Sequence, residues 1–304
     1  MSTRLVRTVP RVGTERHLSA VKVIAVTGST GNLGRRVARR LADLGVRQRL
    51  VVRDPARAPE LPDTQIATAD YADGAAVRTA LTGVDTVFMV SAAETTERVQ
   101  QHLSFIDAAV EAGVHRIIYV SFFGASPTAT FTLARDHWAT EEHLRSVEVA
   151  YTILRDNIYA DFTPYFVGTD GNIRGPAGDG RAAVVAQADI AEVASIVLTE
   201  NGAHDGRTLN LTGPEALTVH QIAGILSDHL GRHVSYIPET IDQAYASRAV
   251  YGAPQWQLDA WVSTYSAIAA GELAGISEDI SEVTGHPAMS LEDVLAAANS
   301  TSSC

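Results

Sequence analysis

The sequence predicts an α/β protein built on a doubly wound parallel sheet, and three observations support this fold class. The short apolar run Val23–Val26, rich in β-branched residues, is typical of a buried parallel strand. Three glycines follow it, and from Asn32 onward the apolar residues take helical spacing. Strands and helices then alternate to about residue 155, as they do in successive βαβ units. Together these patterns predict a Rossmann-type domain.

The three glycines are Gly28, Gly31 and Gly34, in the pattern T-G-x-x-G-x-x-G. Such glycines allow a tight turn, a close approach of backbone N–H groups to a pyrophosphate, and close packing of the helix on its strand. A strand that turns through glycines into a helix is the phosphate-binding corner of dinucleotide folds. The sequence therefore predicts a bound dinucleotide.

The remaining elements of this half follow from short apolar runs and amphipathic segments. The residue patterns predict further strands at residues 49–55, 64–69, 86–90, 116–121 and 150–155. Helices are predicted at residues 74–81, 96–112 and 135–145. This order of elements is what a parallel, doubly wound sheet requires.

Beyond Arg155 the alternation breaks. An aromatic-rich segment is followed by the glycine-rich residues 171–181, which predict a hairpin and turn. Asp189 is predicted to cap a helix, and Thr218 with Gln221 forms a capping box before another. Strands are predicted at 208–211 and 234–237, and a helix from Pro254.

These patterns predict three parts of the chain. We expect residues 1–20 to form a disordered N-terminal extension and residues 21–155 to form the NADP-binding Rossmann domain. Residues 156–304 are expected to form a smaller lid or substrate lobe with interleaved elements. The lobe is expected to cover the carboxyl edge of the sheet, where ligands bind in such folds.

Composition narrows the classes of partner and location. A net charge of −11 argues against general binding to nucleic acid. No apolar run approaches the roughly 18 residues that a membrane-spanning helix needs. The single cysteine, Cys304, cannot form an intrachain disulfide, which favours a reducing, cytoplasmic location. The apolar helix face with Val193 and Val197 is expected in the core, while a homodimer contact stays open.

The end of the second predicted strand bears on the choice of cofactor. NAD-specific folds place an acid about 20 residues after the glycines, but here the position holds Arg53. A guanidinium suits the additional 2′-phosphate of NADP, whereas the adjacent Asp54 could serve NAD. The sequence therefore favours NADP(H) over NAD(H). No metal is expected, because the histidines have no ligand spacing with paired acids.

Several segments now identify a resemblance. The stretches TGSTGNLG, VVRDPARA, ATEEHL and YTILR, in this order and spacing, resemble the NmrA-like group of atypical short-chain dehydrogenases/reductases. Within that group the chain is similar to NADPH:quinone oxidoreductases of the second type. The resemblance covers about residues 21–298 and includes the segments LTGPEALTVHQIA and GHPAMSLEDVL.

The resemblance implies a set of site residues. The cofactor-binding residues that it implies are Gly28, Thr30, Gly31, Asn32, Leu33, Arg53, Asp70, Tyr71, Ser91 and Ala92. We add Gly34, the third glycine of the motif, and His137 on a predicted helix. The substrate-facing residues are expected to be Phe122, Asn157, Tyr159 and Phe162.

One departure from the wider superfamily bears on mechanism. Typical members use Tyr-x-x-x-Lys, in which lysine lowers the tyrosine pKa for proton exchange. Here the two positions align with Leu133 and His137, and Lys22 is the only lysine in the chain. Alcohol dehydrogenation and nucleotide-sugar epimerisation by that pair are therefore not expected.

Two functions remain open at this point. In one, NADPH passes hydride directly to a quinone-like or related carbonyl acceptor, with Ser121 or His137 as a hydrogen-bond donor to its oxygen. In the other, the protein binds NADP(H) without catalysis and reports its redox state to a partner, as some NmrA relatives do. The aromatic residues favour the enzyme, since they could stack on a flat acceptor.

Overall fold

The large parallel sheet predicted from the sequence is present. The computed structural model describes residues 22–301, so the predicted N-terminal extension and Cys304 lie outside the described residues. Within this range seven parallel strands form one sheet in the order β3-β2-β1-β4-β5-β6-β9. In chain order they are β1 (Ile24–Thr27), β2 (Gln48–Val52), β3 (Thr64–Thr68), β4 (Thr86–Met89), β5 (Arg116–Phe122), β6 (Ala150–Asp156) and β9 (Thr208–Leu211).

Helices cover both faces of this sheet. One face carries α1 (Asn32–Asp43) and α5 (Gln187–Thr199), and the other carries α2 (Gly74–Leu81), α3 (Arg98–Glu111) and α4 (Thr132–Ser146). Because successive strand residues point to opposite faces, Ile24 and Val26 pack under α1 while Ala25 packs toward α2 and α3. The fold class is therefore the predicted doubly wound α/β fold of Rossmann type.

A smaller lobe follows β6 and has its own apolar core. Its strands are β7 (Asn172–Gly175), β8 (Arg181–Ala182), β10 (Leu217–Thr218) and β11 (Ser235–Pro238). Its helices are α6 (Val219–Leu230), α7 (Ile241–Arg248), α8 (Gln255–Ala269), α9 (Asp279–Thr284) and α10 (Leu291–Thr301). Of these, α9 packs on α5 and β9 of the large sheet.

Residues beyond position 155 contribute to both parts. Strand β9 extends the large sheet beside β6, and α5 packs on α1. Both elements follow β7 and β8 of the smaller lobe in the chain, so the chain returns to the large sheet after starting the lobe. The boundary at residue 155 stays a prediction. Val193 and Val197 of α5 are completely buried in the core, and the homodimer stays a prediction too.

Two local expectations beyond residue 155 were wrong. The glycine-rich residues 171–181 do not form a hairpin, because β7 pairs in parallel with β11 and β8 pairs with β10. Asp189 does not cap α5, whose N-cap is Ala186. The Asp189 carboxylate instead accepts a 2.7 Å hydrogen bond from the Met289 backbone N–H. In both cases the partner lies far away in the sequence.

Other local signals were confirmed. Helix α2 has the predicted bounds, and the capping box of Thr218 and Gln221 begins α6 with both of its hydrogen bonds. Helix α8 begins directly after Pro254, which is its N-cap. No helix in the described part of the chain combines the length and apolarity needed to cross a membrane.

Helix α1 sits unusually close to the turn before it, which generates a prediction about Gly34. A Cβ at Gly34 would collide with the Gly28 carbonyl, so Gly34→Ala should lower the free energy of unfolding by about 1–3 kcal/mol. Gly224, inside α6, has open space around it, so Gly224→Ala should raise the same quantity by about 0.5–1 kcal/mol. Denaturant unfolding of both variants measures the difference, and equal effects of the same sign would contradict it.

Candidate functional site

A cavity of about 170 Å³ lies at the carboxyl ends of β1, β2, β3 and β4. Strand order reverses between β1 and β4, and ligands bind at such switch points in open α/β sheets. The cavity is lined by residues from the loops after all four strands. Of the predicted cofactor residues, these include Gly28, Thr30, Arg53, Asp70, Tyr71, Ser91 and Ala92. The fold thus brings residues from four separate sequence segments to one place.

The turn after β1 leaves the start of α1 open. Gly28 has φ of +63°, and a Cβ there would lie 2.9 Å from Cβ of Val90. The Gly31 N–H donates to the Gly28 carbonyl at 2.9 Å, and Gly31 is the N-cap of α1 without a side chain to cap it. The first turn of α1 contains no acid, so its free N–H groups and positive dipole end suit a phosphate.

The other two predicted residues of this helix start have different surroundings. Asn32 is exposed at the first position of α1, while the Leu33 side chain is buried in the core between α1 and the sheet. A contact of Leu33 with a phosphate would therefore use its backbone N–H. The buried side chain fixes the helix start relative to the sheet.

Arg53 lies at the rim of the same cavity. Its side chain is exposed, and no acidic side chain within residues 22–301 forms an ion pair with it. The neighbouring Asp54 carboxylate accepts a 3.0 Å hydrogen bond from the Ala56 N–H and so begins the short 3-10 turn Pro55–Arg57. A free guanidinium beside an acid already engaged in a cap favours binding of an additional phosphate.

Tyr71 closes the floor of the cavity. Its hydroxyl donates to the Val90 carbonyl at 2.6 Å and lies 2.7 Å from the Thr27 hydroxyl, and its ring stacks on Phe105 with centroids 4.3 Å apart. Burial raises the Tyr71 pKa above its ordinary value. The neutral hydroxyl therefore ties the ends of β1 and β4 together beneath the site.

Ser121 belongs to a buried ion-pair network. Its hydroxyl donates to Oε1 of Glu141 at 2.5 Å, and Glu141 also accepts from Arg155 and Arg145. Glu141 lies on α4, and its carboxylate is completely buried. These contacts engage the Ser121 proton inside the scaffold, and a hydrogen bond from Ser121 to substrate stays a prediction.

His137 is buried, and both of its ring nitrogens have partners. Nε2 lies 3.0 Å from Nη2 of Arg98, and Nδ1 lies 2.9 Å from the Tyr119 hydroxyl. Burial lowers the His137 pKa well below its ordinary value, and the positive charge of Arg98 acts in the same direction. The ring is therefore neutral near pH 7. Its predicted roles toward cofactor and substrate stay predictions.

The four predicted substrate residues are near one another in the fold but have unequal exposure. Phe122 packs edge-on against Phe131, and Asn157 is buried with its amide donating to the Leu273 carbonyl at 3.0 Å. Tyr159 packs edge-on against Phe162, which is 38% exposed. Phe162 is therefore the most exposed of these four residues, and their contact with substrate stays a prediction.

A second and larger cavity, of about 730 Å³, lies in the smaller lobe. It is mostly apolar, and none of the four predicted substrate residues lines it. Its aromatic walls come from the segment after β6, from the short 3-10 turn that precedes α8, and from α8 itself, namely Tyr165, Phe166, Tyr251, Trp261 and Tyr265. Ile158, two residues beyond the end of β6, also lines it, so the cavity begins beside the carboxyl edge of the sheet.

Asp156 is a titratable residue of this edge that sequence reasoning missed. It ends β6, is 4% exposed, and accepts a 2.6 Å hydrogen bond from the Tyr159 hydroxyl. Burial raises the pKa of its carboxyl to about 8, although the Tyr159 hydrogen bond opposes this. The only sequence signal was an acid at the end of a buried strand.

In the described residues no group of His, Cys, Asp or Glu could hold a metal ion.

Comparison with known proteins gives consistent matches. The model of the NmrA-like family matches residues 20–251. Quinone oxidoreductase 2 of Escherichia coli (strain K12) is 34% identical over 282 residues, which cover 89% of this chain and 96% of that protein. The NAD(P)H azoreductase of Xenophilus azovorans is 30% identical over 271 residues, covering 88% of this chain and 94% of that protein.

Solved structures agree with these matches. The crystal structure of an E. coli NADPH-dependent quinone oxidoreductase complexed with NADPH superposes with a TM-score of 0.82 at 32% identity. That superposition covers 91% of this chain and 99% of the other. The negative transcriptional regulator NmrA in complex with NAD has a TM-score of 0.72 at 15% identity and covers 93% and 98%, which shows a shared fold alone.

The raised pKa of Asp156 generates a prediction about stability. An acid with a folded-state pKa near 8 stabilises the fold most below its ordinary pKa of 3.8, and this contribution is lost as the pH rises toward 8. Asp156→Asn keeps an acceptor for Tyr159 and cannot ionise. It should therefore raise the free energy of unfolding by about 2 kcal/mol at pH 8.5 and by much less at pH 5.

Denaturant unfolding at both pH values measures this effect. Tyr159→Phe is the control, because it removes the donor but keeps the carboxyl, and its stability should still fall as the pH rises. A gain from Asp156→Asn that is equal at pH 5 and pH 8.5 would contradict the assignment.

Proposed function

This chain belongs to the NmrA-like family, and we propose that it is an NADPH-dependent oxidoreductase that passes hydride directly to a quinone-like or related carbonyl acceptor. The observation that carries the proposal is the arrangement at one edge of the sheet. A small cavity with both polar and apolar walls lies at the glycine turn and the ends of β1 to β4, and a large, mostly apolar cavity begins just beyond β6. The relatives named above are reductases of a quinone and of an azo compound.

The residues of the small cavity fit a dinucleotide phosphate. The open N-terminus of α1 would hold the pyrophosphate, because its N–H groups have no capping side chain. The exposed guanidinium of Arg53 would hold the 2′-phosphate, which favours NADP(H) over NAD(H). Asp70, Tyr71, Ser91 and Ala92 would line the path of the nucleotide. When bound, NADPH supplies the hydride.

The large cavity would take the acceptor. Its volume of about 730 Å³ lies in the range of small-molecule sites, and its walls are mainly aromatic and aliphatic. Flat conjugated rings are bound well by such walls, since aromatic side chains stack or pack edge-on against them. The cavity therefore supports an acceptor such as a quinone rather than a sugar, which would need many polar partners.

The proton for the reduced oxygen would come from water. Leu133 has no titratable group, and both nitrogens of neutral His137 are engaged by Arg98 and Tyr119. Lys22 is the only lysine in the sequence, and its Nζ lies 3.6 Å from Oδ2 of Asp85, just before β4. This is the edge of the sheet opposite to the cavities. Hydride transfer to a quinone needs no strong acid, because the hydroquinone oxygen can be protonated after the transfer.

The proposal is tested by measuring NADPH oxidation with a panel of quinones, using the loss of the near-ultraviolet absorbance of NADPH as the signal. We expect turnover by the wild type and a rise in the NADPH dissociation constant of about tenfold or more in Arg53→Gln, with little change for NADH. Arg39→Gln is the matched control, because Arg39 is also exposed but lies on α1 outside the cavity. Its affinity for both cofactors should equal that of the wild type.

Each outcome of this test has a clear meaning. If NADPH binds and no acceptor in the panel is reduced, the redox-sensor function takes the place of the enzyme. If the affinity for NADPH falls equally in Arg53→Gln and Arg39→Gln, Arg53 does not select the 2′-phosphate.

The assignment of the acceptor cavity generates a separate prediction. Thr264 lines this cavity from α8, so Thr264→Phe should fill part of it and lower kcat/KM for bulky quinones by about tenfold or more. The affinity for NADPH should not change. Gln257→Phe adds the same ring on α8 outside the cavity and should leave kcat/KM unchanged, as steady-state kinetics would show.

A further inference from the structure

A cluster of buried polar side chains lies directly behind the loop that follows β4. Arg98 and His102 come from α3, Tyr119 from β5, and His137 and Thr140 from α4. All five are less than 10% exposed. Such a cluster is costly in a protein interior unless its hydrogen bonds are made. It therefore calls for an explanation beyond packing.

The donors in this cluster determine where the histidine protons lie. A guanidinium can only donate, so Nε2 of His137, 3.0 Å from Nη2 of Arg98, must accept. The proton of His137 is then on Nδ1 and is donated to the Tyr119 hydroxyl oxygen. Likewise, the Ala92 backbone N–H donates to Nε2 of His102 at 2.8 Å, so Nδ1 of His102 donates to Thr140. Both histidines are neutral.

Ala92 is held on both sides of its backbone by α3. Its N–H is bound by His102, and its carbonyl accepts from Nε of Arg98 at 3.1 Å. Ala92 also lines the small cavity in which the cofactor is proposed to bind. Arg98 is thus the one side chain in the described part of the chain that joins this cavity wall to His137.

The charge of Arg98 is only partly compensated. The nearest carboxylate is that of Asp136, whose Oδ2 lies 3.7 Å from Nη1, beyond hydrogen-bond distance. Nη1 is buried and has no hydrogen-bond partner among the described residues. Two of the five N–H groups of this buried cation make hydrogen bonds, while those on Nη1 have no partner, and this costs stability. The cost argues for a functional reason to keep Arg98.

We propose that Arg98 is a positioning residue of the cofactor site. By binding the Ala92 carbonyl and Nε2 of His137 with one guanidinium, it fixes the loop after β4 relative to α4 and keeps His137 in a single, neutral form. The inference rests on the proposed function only in that NADPH is the ligand of the cavity. It requires no turnover.

The groups that surround His137 all bear on its protonation. From the elements packed against it, the charged and titratable groups that face it or lie nearby are Arg98 and His102 on α3, Tyr119 on β5, Arg155 on β6, and Asp136 and Glu141 on its own helix. Arg98 is the group in direct contact with Nε2. Its removal therefore frees the nitrogen that can take up a proton.

The experiment compares Arg98→Met with Arg98→Lys and with Arg116→Met. Arg116 is the matched control, because it is equally buried but lies at the start of β5, where it donates to the Val197 and Glu200 carbonyls at the opposite edge of the sheet. We expect Arg98→Met to raise the NADPH dissociation constant by about tenfold or more, since it removes two charge-assisted hydrogen bonds. Arg98→Lys should lose less, and Arg116→Met should lose stability but no NADPH affinity.

A spectroscopic readout separates positioning from a general loss of structure. NMR of the imidazole nitrogens, with His137→Gln used to assign the signal, should show wild-type His137 neutral and protonated on Nδ1 across about pH 6 to 8. In Arg98→Met the ring stays buried and therefore neutral, but Nε2 loses its donor, so the nitrogen shifts should move toward a mixture of the two neutral tautomers.

Two results would overturn the inference. One is a folded Arg98→Met that binds NADPH with the wild-type affinity at every pH. The other is a His137 signal that stays unchanged when Arg98 is replaced. Absence of quinone reduction by the wild type would count against the proposed enzyme but not against this inference, because cofactor binding is measured separately.

Discussion

The structure depends first on a close backbone approach between the turn after β1 and the beginning of α1. The Gly28 carbonyl fills the space where Gly34 would carry a side chain, and Gly28 itself has a positive φ beside Val90. This approach lets Leu33, Val37 and Leu41 of α1 pack directly on the sheet. Because the helix is fixed by its buried face, its open N-terminus is fixed as well. The open corner that is proposed to hold the phosphates is therefore a consequence of core packing.

Buried charges give the carboxyl edge of the sheet a rigid frame. Glu141 is completely buried, yet Arg145, Arg155 and Ser121 satisfy both of its oxygens. Removing one partner of such a group costs about 3–5 kcal/mol, because an uncompensated charge would remain inside the protein. The network joins α4 to β5 and β6 close to the carboxyl ends of these two strands. A site is held in one geometry most effectively when its supporting shell is locked in this way.

The two cavities divide the edge of the sheet between them. The small cavity has both polar and apolar walls and a free arginine at its rim, whereas the walls of the large one are mainly aromatic and aliphatic. The segment after β6 lines the large cavity and is tied to the Rossmann core, since Asp161 pairs with Arg36 of α1 at 3.1 Å and accepts from the Gln187 N–H of α5. The lobe that carries the apolar cavity is therefore anchored beside the glycine turn.

The sequence by itself determined the features that depend on near neighbours. The alternation of strands and helices, the glycine turn and the capping box at Thr218 are local signals, and the structure contains all of them. Seven of the residues lining the small cavity were also predicted, from the glycine pattern, the end of the second strand and the family resemblance. What only the tertiary structure decided depends on partners that are distant in sequence. Strands β7 and β8 pair with β11 and β10 rather than with each other, and Asp189 binds Met289 rather than its own helix. The high pKa of Asp156 results from its burial in the fold. The neutral state of His137 results from burial and from contact with Arg98, which is remote in sequence. Local pattern determines secondary structure, but the charge and hydrogen bonds of a side chain depend on which residues the fold places around it.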